Sequence, residues 1–403
     1  ATATTPRRSH TRAYVLTAII TALLLVGMWL ILRTITDNVS HPLTTLNPQG
    51  TESDAIHSLS LKVFAVAGVI FVLVQVAVVY MALRFRRHPD DVDGEHEPVQ
   101  IHGKSALEWT WTAVPALILA VLAAFNVSTL WDLQSDAEEA KTTVNVIGQQ
   151  WWWEFRYDID SDGKTDIITA NQMVIPVDTL VAVHIQSNDV IHSFWIPALN
   201  GKKDAVPGRT HLLGIQADKP GVYEGQCTEY CGLSHAYMRM QVKALSAADY
   251  QAWVDNQLKG PVEPKKGTLA EEGKALFGAR CANCHQINGT SPSGEATDST
   301  VPDPDYAGAK QPLISGNAPN LTHLMSRDRF AGARFHLYDS YDAGAGADTA
   351  MPAGKPNVGE LGDWLRDPPN KKPMAADQNR GMPNLNLTQD EIDKLVAYLT
   401  TLK

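Results

Sequence analysis

The stretch that decides both fold and chemistry in this chain is residues 225–238, GQCTEYCGLSHAYM. It places two thiols, an imidazole and a thioether within twelve residues, in the spacing C-x3-C-x3-H-x2-M. A second histidine, His192, lies upstream in the segment DVIHSF at 189–194. Soft thiolate and thioether ligands beside imidazoles select copper, and two cysteines on one short loop can bridge two metal ions. One such loop, with one histidine from a distant strand, is the usual construction of copper sites in β-sandwich proteins.

Two plainer interpretations of this loop stay open. A zinc knuckle would use the same thiols, although C-x3-C departs from the usual C-x2-C spacing and methionine is a poor zinc ligand. A disulfide between Cys227 and Cys231 could form in an oxidising compartment. It would leave the positions of the histidine and the methionine unexplained.

The loop and the His192 segment resemble the binuclear copper (CuA) site of cytochrome c oxidase subunit II, with six positions in the order of that family. The resemblance implies that the two cysteines bridge two coppers and that the two histidines are terminal ligands. The methionine and the backbone carbonyl of the glutamate are then weak ligands, and the glutamate side chain is implied in a magnesium site at the boundary with subunit I. The implied ligand set is His192, Cys227, Glu229, Cys231, His235 and Met238.

Composition sets limits on the rest of the molecule. The chain has 403 residues, enough for two or three domains, and its net charge of −10 argues against nucleic acid as a partner. Its four cysteines form two local pairs, each inside a ligand motif. No cysteine is therefore left for a structural disulfide framework.

Three apolar runs, at about residues 13–32, 63–83 and 109–127, predict transmembrane helices that contact the lipid bilayer. The first run could instead belong to a signal peptide, with its basic start and apolar centre. We favour a retained helix because the run is long and the sequence RTIT at 33–36 is a poor cleavage site. The subunit II family usually has a two-helix hairpin, so a retained first helix is a departure from it.

Arginines at the ends of these runs predict the orientation of the chain. Arg7, Arg8 and Arg12 precede the first run, and the sequence RFRR at 84–87 follows the second. Positive clusters stay on the inner side of a membrane. Everything after about residue 130 is therefore expected outside a bacterial inner membrane, in the periplasm or its Gram-positive equivalent.

Glu108 lies at the expected inner mouth of the third helix, and its plain interpretation is a carboxylate that anchors a helix end. The pattern E-x-x-W-T-x-x-P that begins at Glu108 resembles the subunit II segment whose glutamate stands at the entrance of a proton channel, the K pathway, into subunit I. The resemblance implies this proton-entry role for Glu108.

From about 142 to 244 the pattern changes to short alternating strands separated by Pro and Gly, which is typical of a β-sandwich or barrel. With the copper ligands, this region reads as a cupredoxin. Within it, the sequence GQQWWWEF at 148–155 is a packing cluster in its plain interpretation. It also resembles the family segment G-x-Q-W-x-W, whose first tryptophan receives electrons from cytochrome c, and this implies an electron-entry role for Trp151.

A segment rich in Pro, Gly and Lys at 258–267 reads as a linker, which would hold two domains at high effective concentration. Beyond it, Cys281, Cys284 and His285 form C-x2-C-H, the spacing of covalent c-type haem attachment with the histidine as proximal ligand. The last helix is predicted to begin at Thr388, with Glu391 completing a capping box. These features resemble a small class I cytochrome c.

A methionine is expected as the second axial haem ligand. The loop GMPNL at 381–385 looks like the ligand loop of that family, which favours Met382. Met351 is the second candidate, and ligation by two histidines through His323 or His336 is a third.

The sequence therefore predicts a multidomain membrane protein with transmembrane helices, an all-β cupredoxin domain and an all-α class I cytochrome c domain. The expected boundaries are 1–135 for the anchor, 140–257 for the cupredoxin, 258–267 for the linker and 268–403 for the cytochrome.

The resemblance covers nearly the whole chain and is to the fused subunit II of caa3-type cytochrome c oxidases. It implies electron flow from cytochrome c or a cytochrome bc-type complex to haem c, then CuA, then haem a in subunit I, with subunit III as a further partner. Oxygen reduction would occur in subunit I, coupled to proton pumping. The alternatives are the CuA subunit of a nitric oxide reductase and a membrane-anchored copper carrier.

Overall fold

The structure is a computed structural model, and it describes residues 11–37, 43–86, 102–140, 142–163, 165–288, 300–302, 310–312, 318–339 and 349–403. Arg7, Arg8 and Arg87, which entered the orientation argument, lie outside the described residues. The chain divides into two compact units. One comprises residues 1–41 and 55–131, and the other comprises 42–54 and 132–403.

Three long helices supply the described part of the first unit, and α2 and α3 each extend by one end into the residue ranges of the second: α1 Thr11–Asp37, α2 Thr51–Arg84 and α3 Ser105–Glu139. Within the described ranges, α2 and α3 are long and apolar enough to cross a membrane, whereas the apolar stretch of α1 covers Tyr14–Leu30. Both α2 and α3 begin before their predicted apolar runs. Acidic residues occupy the first turn of each, where they interact favourably with the helix dipole, so polar sequence extends these helices.

Ten strands are described between residues 142 and 245, and we call this part the cupredoxin domain. They are β1 Thr142–Gln149, β2 Trp152–Tyr157, β3 Ile167–Ala170, β4 Gln172–Pro176, β5 Val181–Ser187, β6 His192–Phe194, β7 Lys203–Ala205, β8 His211–Ile215, β9 Gly221–Gln226 and β10 Arg239–Leu245. The first sheet has the order β3-β2-β1-β5-β8, the second has β4-β10-β9, and β6 pairs with β7. The helix α4 Ala247–Gln257 follows.

Aromatic side chains fill the core of the cupredoxin domain and reach residues 227–238, the segment between β9 and β10 that we call the copper loop. Trp153, Phe155 and Phe194 are fully buried, and the rings of Trp153 and Phe194 meet edge to face at 5.4 Å. Trp153 also meets the ring of His192 at 5.9 Å. The tryptophan cluster therefore packs as its plain interpretation predicts, and it also fixes the histidine that precedes the loop.

The remaining elements form what we call the cytochrome domain. They are α5 Leu269–Arg280, β11 Thr300–Pro302, β12 Lys310–Pro312, β13 Arg329–Phe330, β14 Phe335–His336, α6 Val358–Arg366, α7 Pro368–Lys371 and α8 Gln389–Leu399. Helix α5 packs on α8, with the rings of Phe277 and Tyr398 at 5.8 Å. The capping box of Thr388 and Glu391 is present at the start of α8. No helix or strand is assigned between α4 and α5, where the linker was predicted.

The cupredoxin and cytochrome domains lie in one compact unit and contact each other directly. Lys243 of β10 and Asp328 form a buried ion pair at 3.5 Å, and Glu224 pairs with Arg329 at 3.0 Å. The sequence predicted only that the linker keeps the two domains at a high effective concentration for each other. The structure adds a docked interface between them, in which charged residues that are far apart in the chain form ion pairs.

Candidate copper and haem sites

The predicted copper ligands are brought together by the strands that flank the loop. Strand β9 leads into the loop and β10 leaves it, and the backbone N–H of Cys227 donates to the carbonyl of Met238 at 2.9 Å, which closes the loop on itself. The N–H of Thr228 donates to the carbonyl of Ser193 at 3.1 Å. Because Ser193 follows His192 on β6, this bond fixes the distant histidine against the loop.

The two cysteine sulfurs are 3.9 Å apart, and each lies near a different set of potential ligand atoms. On one side, His192 Nδ1 lies 4.0 Å from Cys227 Sγ, and the thiol of Cys227 donates to the carbonyl of Glu229 at 3.3 Å. On the other side, Cys231 Sγ lies 3.5 Å from His235 Nδ1 and 3.8 Å from the sulfur of Met238. All six predicted ligands therefore share one site. Both thiols are free, so this structure has no disulfide in the loop.

Hydrogen bonds shift the pKa values of the thiols and the imidazole in this site, in different directions. The hydrogen bond from Cys231 stabilises the thiolate of Cys227 and, against the effect of burial, lowers the pKa of Cys227 to about 4. The same interaction raises the pKa of Cys231. Burial disfavours a charge on His192, but its hydrogen bonds with Asp189 and Cys227 outweigh burial and raise its pKa. Deprotonated sulfur is the form that binds metal, and a set of thiolates, imidazoles and a thioether fits copper.

Asp189 contacts a predicted copper ligand and was not singled out from the sequence. Its Oδ1 lies 2.8 Å from His192 Nε2, so it orients the ring and leaves Nδ1 toward the sulfurs. Its Oδ2 accepts from the N–H of Gln150 at 2.7 Å and lies 3.9 Å from Arg380 of the cytochrome domain. The available signal was an acidic residue three positions before a ligand histidine.

Gly148 explains how the ring of His192 fits against the sheet. A Cβ at this position would lie 2.8 Å from the ring. That separation is too short for ordinary packing, so a glycine on β1 leaves space for a fully buried imidazole.

Trp151 connects the copper loop to the cytochrome domain. Its indole Nε1 donates to the carbonyl of Cys231 at 2.9 Å, and the side-chain amide of Gln150 donates to the same carbonyl at 2.7 Å. Trp151 is 2% exposed and lines a cavity whose walls come mostly from the cytochrome domain, with Gln150, Trp152 and Asn171 as the other lining residues from the cupredoxin domain. The predicted electron-entry residue is thus covered by this chain rather than open to an external partner.

That cavity collects the predicted haem residues. Cys281, Cys284, His285 and Met382 all line it, together with apolar side chains such as Phe277, Leu365, Leu395 and Leu399. His285 Nδ1 lies 2.9 Å from the carbonyl of Pro319, which leaves Nε2 available as a ligand. Burial lowers the pKa of His285, so the ring is neutral as iron ligation requires. An apolar cavity with two thiols and a methionine fits a covalent haem c.

The structure separates Met382 from the other candidate ligands. Of the four methionines that follow Cys284, all within the described residues, Met382 is the one that lines the cavity. Its sulfur accepts from the indole N–H of Trp364 at 3.2 Å. Met351 instead contacts the side-chain amide of Asn256 at 3.8 Å, in a region outside the cavity wall. The ring of His323 is engaged by three backbone carbonyls.

Arg327 is a second residue that the sequence did not single out. It is 5% exposed, lines the haem cavity, and donates to the carbonyl of Asn320 at 2.5 Å. Burial lowers its pKa to about 10, so it stays charged near neutral pH. A buried guanidinium at this place can pair with an anionic group in the cavity.

Glu108 lies in the first turn of α3 and is exposed. Its Oε1 accepts from the backbone N–H of Lys104 at 3.1 Å, which is the helix-end contact of its plain interpretation. Its implied part in proton entry stays a prediction, as does a magnesium site at the partly buried Glu229.

Three family models match the chain, in the order of its predicted parts. They are "Cytochrome C oxidase subunit II, transmembrane domain" at residues 42–128, "Cytochrome C oxidase subunit II, periplasmic domain" at 158–245, and "Cytochrome c" at 270–403. These matches imply copper and haem c as cofactors, a membrane anchor with the copper domain outside, and association with other oxidase subunits. They confirm the predicted fold class and an electron-transfer role in a terminal oxidase.

Relatives match over most of their length. Cytochrome c oxidase subunit 2 of Alkalihalophilus pseudofirmus is 32% identical over 369 residues, which cover 90% of this chain and 91% of the relative. The proteins of the same name from Bacillus sp. strain PS3 and Bacillus subtilis are 31% and 29% identical, each over 90% of this chain and 92% of the relative. The chain therefore belongs to the family of cytochrome c oxidase subunit II, in the form that carries a cytochrome c domain after the copper domain.

Proposed function

We propose that this chain receives electrons from an external donor at a covalent haem c and passes them through a binuclear CuA site to haem a in subunit I. The observation that carries the proposal is the position of Trp151. Trp151 lines the haem cavity, and its indole N–H donates to the carbonyl of Cys231. One residue therefore joins the wall of the haem cavity to the backbone of a predicted copper ligand.

The donors on the copper loop support two metal positions. Cys227 and Cys231 each have an imidazole nitrogen within 4.0 Å and a weaker potential ligand within 3.8 Å. The weaker ligand is the carbonyl of Glu229 for Cys227 and the sulfur of Met238 for Cys231. The bridged coppers would supply one electron-accepting centre shared by two ions. The chain holds that centre in a buried site, where few groups rearrange when the charge changes.

The residues around the haem cavity have separable tasks. Cys281 and Cys284 would attach the porphyrin, and His285 and Met382 would bind the iron, which supplies a one-electron couple of high potential. The carbonyl of Pro319 orients the histidine. The buried charge of Arg327 would pair with a carboxylate of the haem.

The covered position of Trp151 supports an order of events. An external donor, cytochrome c or a cytochrome bc-type complex, meets the cytochrome domain first because that domain overlies Trp151. The membrane anchor places these domains outside a bacterial inner membrane. Glu108 would receive protons on the inner side for the reaction and for pumping in subunit I, and subunit III would complete the complex.

Rapid mixing of the assembled oxidase with reduced soluble cytochrome c tests this order. The expected sequence is reduction of haem c, then of the copper centre, then of haem a. A C281A/C284A double variant with unchanged copper content is expected to lose rapid copper reduction. Copper reduction at the wild-type rate in that variant would contradict the proposed path.

The same preparation distinguishes the alternative functions. We expect oxygen consumption with reduced cytochrome c, and copper that stays bound in the presence of a chelator. Faster turnover of nitric oxide than of oxygen would favour a nitric oxide reductase. Ready transfer of copper to the chelator would favour a copper carrier.

A further inference from the structure

Lys372 lies where the haem cavity meets the cupredoxin domain. It directly follows α7 and lines the cavity together with Trp151 and Met382. Its ammonium group donates to the carbonyl of Trp151 at 2.5 Å, across the boundary between the two domains. It also donates to the carbonyl of Ala331 in its own domain at 3.4 Å. One cation therefore bonds to the backbone of both domains.

The ammonium group of Lys372 contacts carbonyl oxygens rather than a carboxylate. Within the described part of the chain it forms no ion pair, and it is partly buried. Burial lowers its pKa to about 7. A partly buried ammonium group that relies on carbonyl oxygens has a larger effect on its surroundings than an exposed lysine, because local screening is weak.

The backbone around Lys372 leaves little freedom for another arrangement. Gly332 has a φ of +77°, and a Cβ there would lie 2.6 Å from Lys372 Nζ and 2.5 Å from the carbonyl of Tyr237. The N–H of Arg239 donates to the carbonyl of Gly332 at 3.1 Å, again between the two domains. The close contact between the ammonium group of Lys372 and residue 332 therefore requires a glycine at position 332.

We propose that Lys372 is a positioning residue for electron transfer between the haem and copper sites. Its hydrogen bond holds the backbone of Trp151 where the haem cavity meets the cupredoxin domain. This inference rests on the proposed function. It adds a residue that contacts neither iron nor copper and acts through Trp151.

The test compares K372M with K371M in the assembled oxidase. Lys371 is the matched control, since it is the adjacent residue and pairs with Asp363 at 3.6 Å in its own domain. The rate of copper reduction by photoreduced haem c is expected to fall about tenfold or more in K372M, because a hydrogen bond from a charged donor is lost. K371M is expected to keep the wild-type rate. Haem and copper spectra should be unchanged in both variants.

Amide hydrogen exchange gives a readout that does not depend on turnover. The Arg239 amide is expected to exchange faster in K372M than in K371M, because its partner Gly332 packs against Lys372. The variant K372R, which still carries a charged donor, is expected to recover most of the transfer rate.

Equal transfer rates and equal Arg239 exchange in K372M and K371M would overturn the inference, and so would a K372R variant as slow as K372M. Failure of the proposed function has a different signature. In that case the wild-type protein and K371M would also show no transfer from haem to copper.

Discussion

The copper loop and the interface between the cupredoxin and cytochrome domains meet at Trp151, but they are built differently. Five of the six predicted copper ligands come from residues 227–238, between two adjacent strands. The interface joins residues that are distant in the chain, such as Lys243 with Asp328 and Trp151 with Lys372. A change in the loop should remove one cofactor, whereas a change in the interface should impair transfer between two intact cofactors.

The C231S substitution should have the largest effect, and it should impair copper binding while leaving the haem site unchanged. It removes a donor to both proposed metal positions, so copper content should fall from two per chain to near zero. Oxidase turnover should fall more than about 100-fold, since even residues that merely orient ligands account for 10–100-fold. Metal analysis and haem spectra check this, with T228A in the same loop as control. Two coppers in C231S would contradict the ligand set.

The M382L substitution should act on the haem site and leave the loop intact. Loss of the thioether should lower the haem midpoint potential by on the order of 0.1 V, within the span of about 0.8 V that axial ligands control. Redox titration measures this shift, with M351L as the matched control. A shift in M351L and none in M382L would identify the other methionine as the ligand.

The D328N substitution should weaken the interface while both cofactors remain. It leaves the ammonium group of Lys243 buried without its anion, which costs about 3 kcal/mol. Denaturant unfolding and amide exchange of the contacting strands should report this loss. The exposed Asp339 offers the control D339N. Equal stability of the two variants would show that the ion pair does not hold the domains together.

The D189N substitution should have the smallest effect, because it changes the orientation of a ligand without removing it. We expect copper affinity to fall about tenfold as His192 loses its charged hydrogen-bond partner. Competition with a copper chelator measures this change. The exposed Asp178 provides the control D178N. Unchanged affinity in D189N would mean that strand β6 alone orients the ring.

The copper site was largely predictable because five of its six predicted ligands lie in one stretch of sequence. The six predicted ligands lie together, and C-x2-C-H likewise led to a cavity that holds both cysteines and the histidine. The helix cap at Thr388 could also be predicted, since it depends on residues three positions apart.

The interface could not be predicted in the same way. A lysine at 243 on a strand or at 372 after a helix has no local pattern that identifies its partner, because the partner is selected by the tertiary fold. The covered position of Trp151 follows from that docking. Sequence patterns also placed the starts of α2 and α3 too late, since hydropathy marks apolar length and not where a helix begins.

The most direct test is the rate of electron transfer from haem c to copper in the assembled oxidase as solvent viscosity is raised several-fold. A docked cytochrome domain has no diffusive step before transfer, so we expect a rate independent of viscosity. A rate that falls in proportion to viscosity would mean that the domain must swing on its linker to reach Trp151. That result would contradict a fixed interface as the path between the two sites.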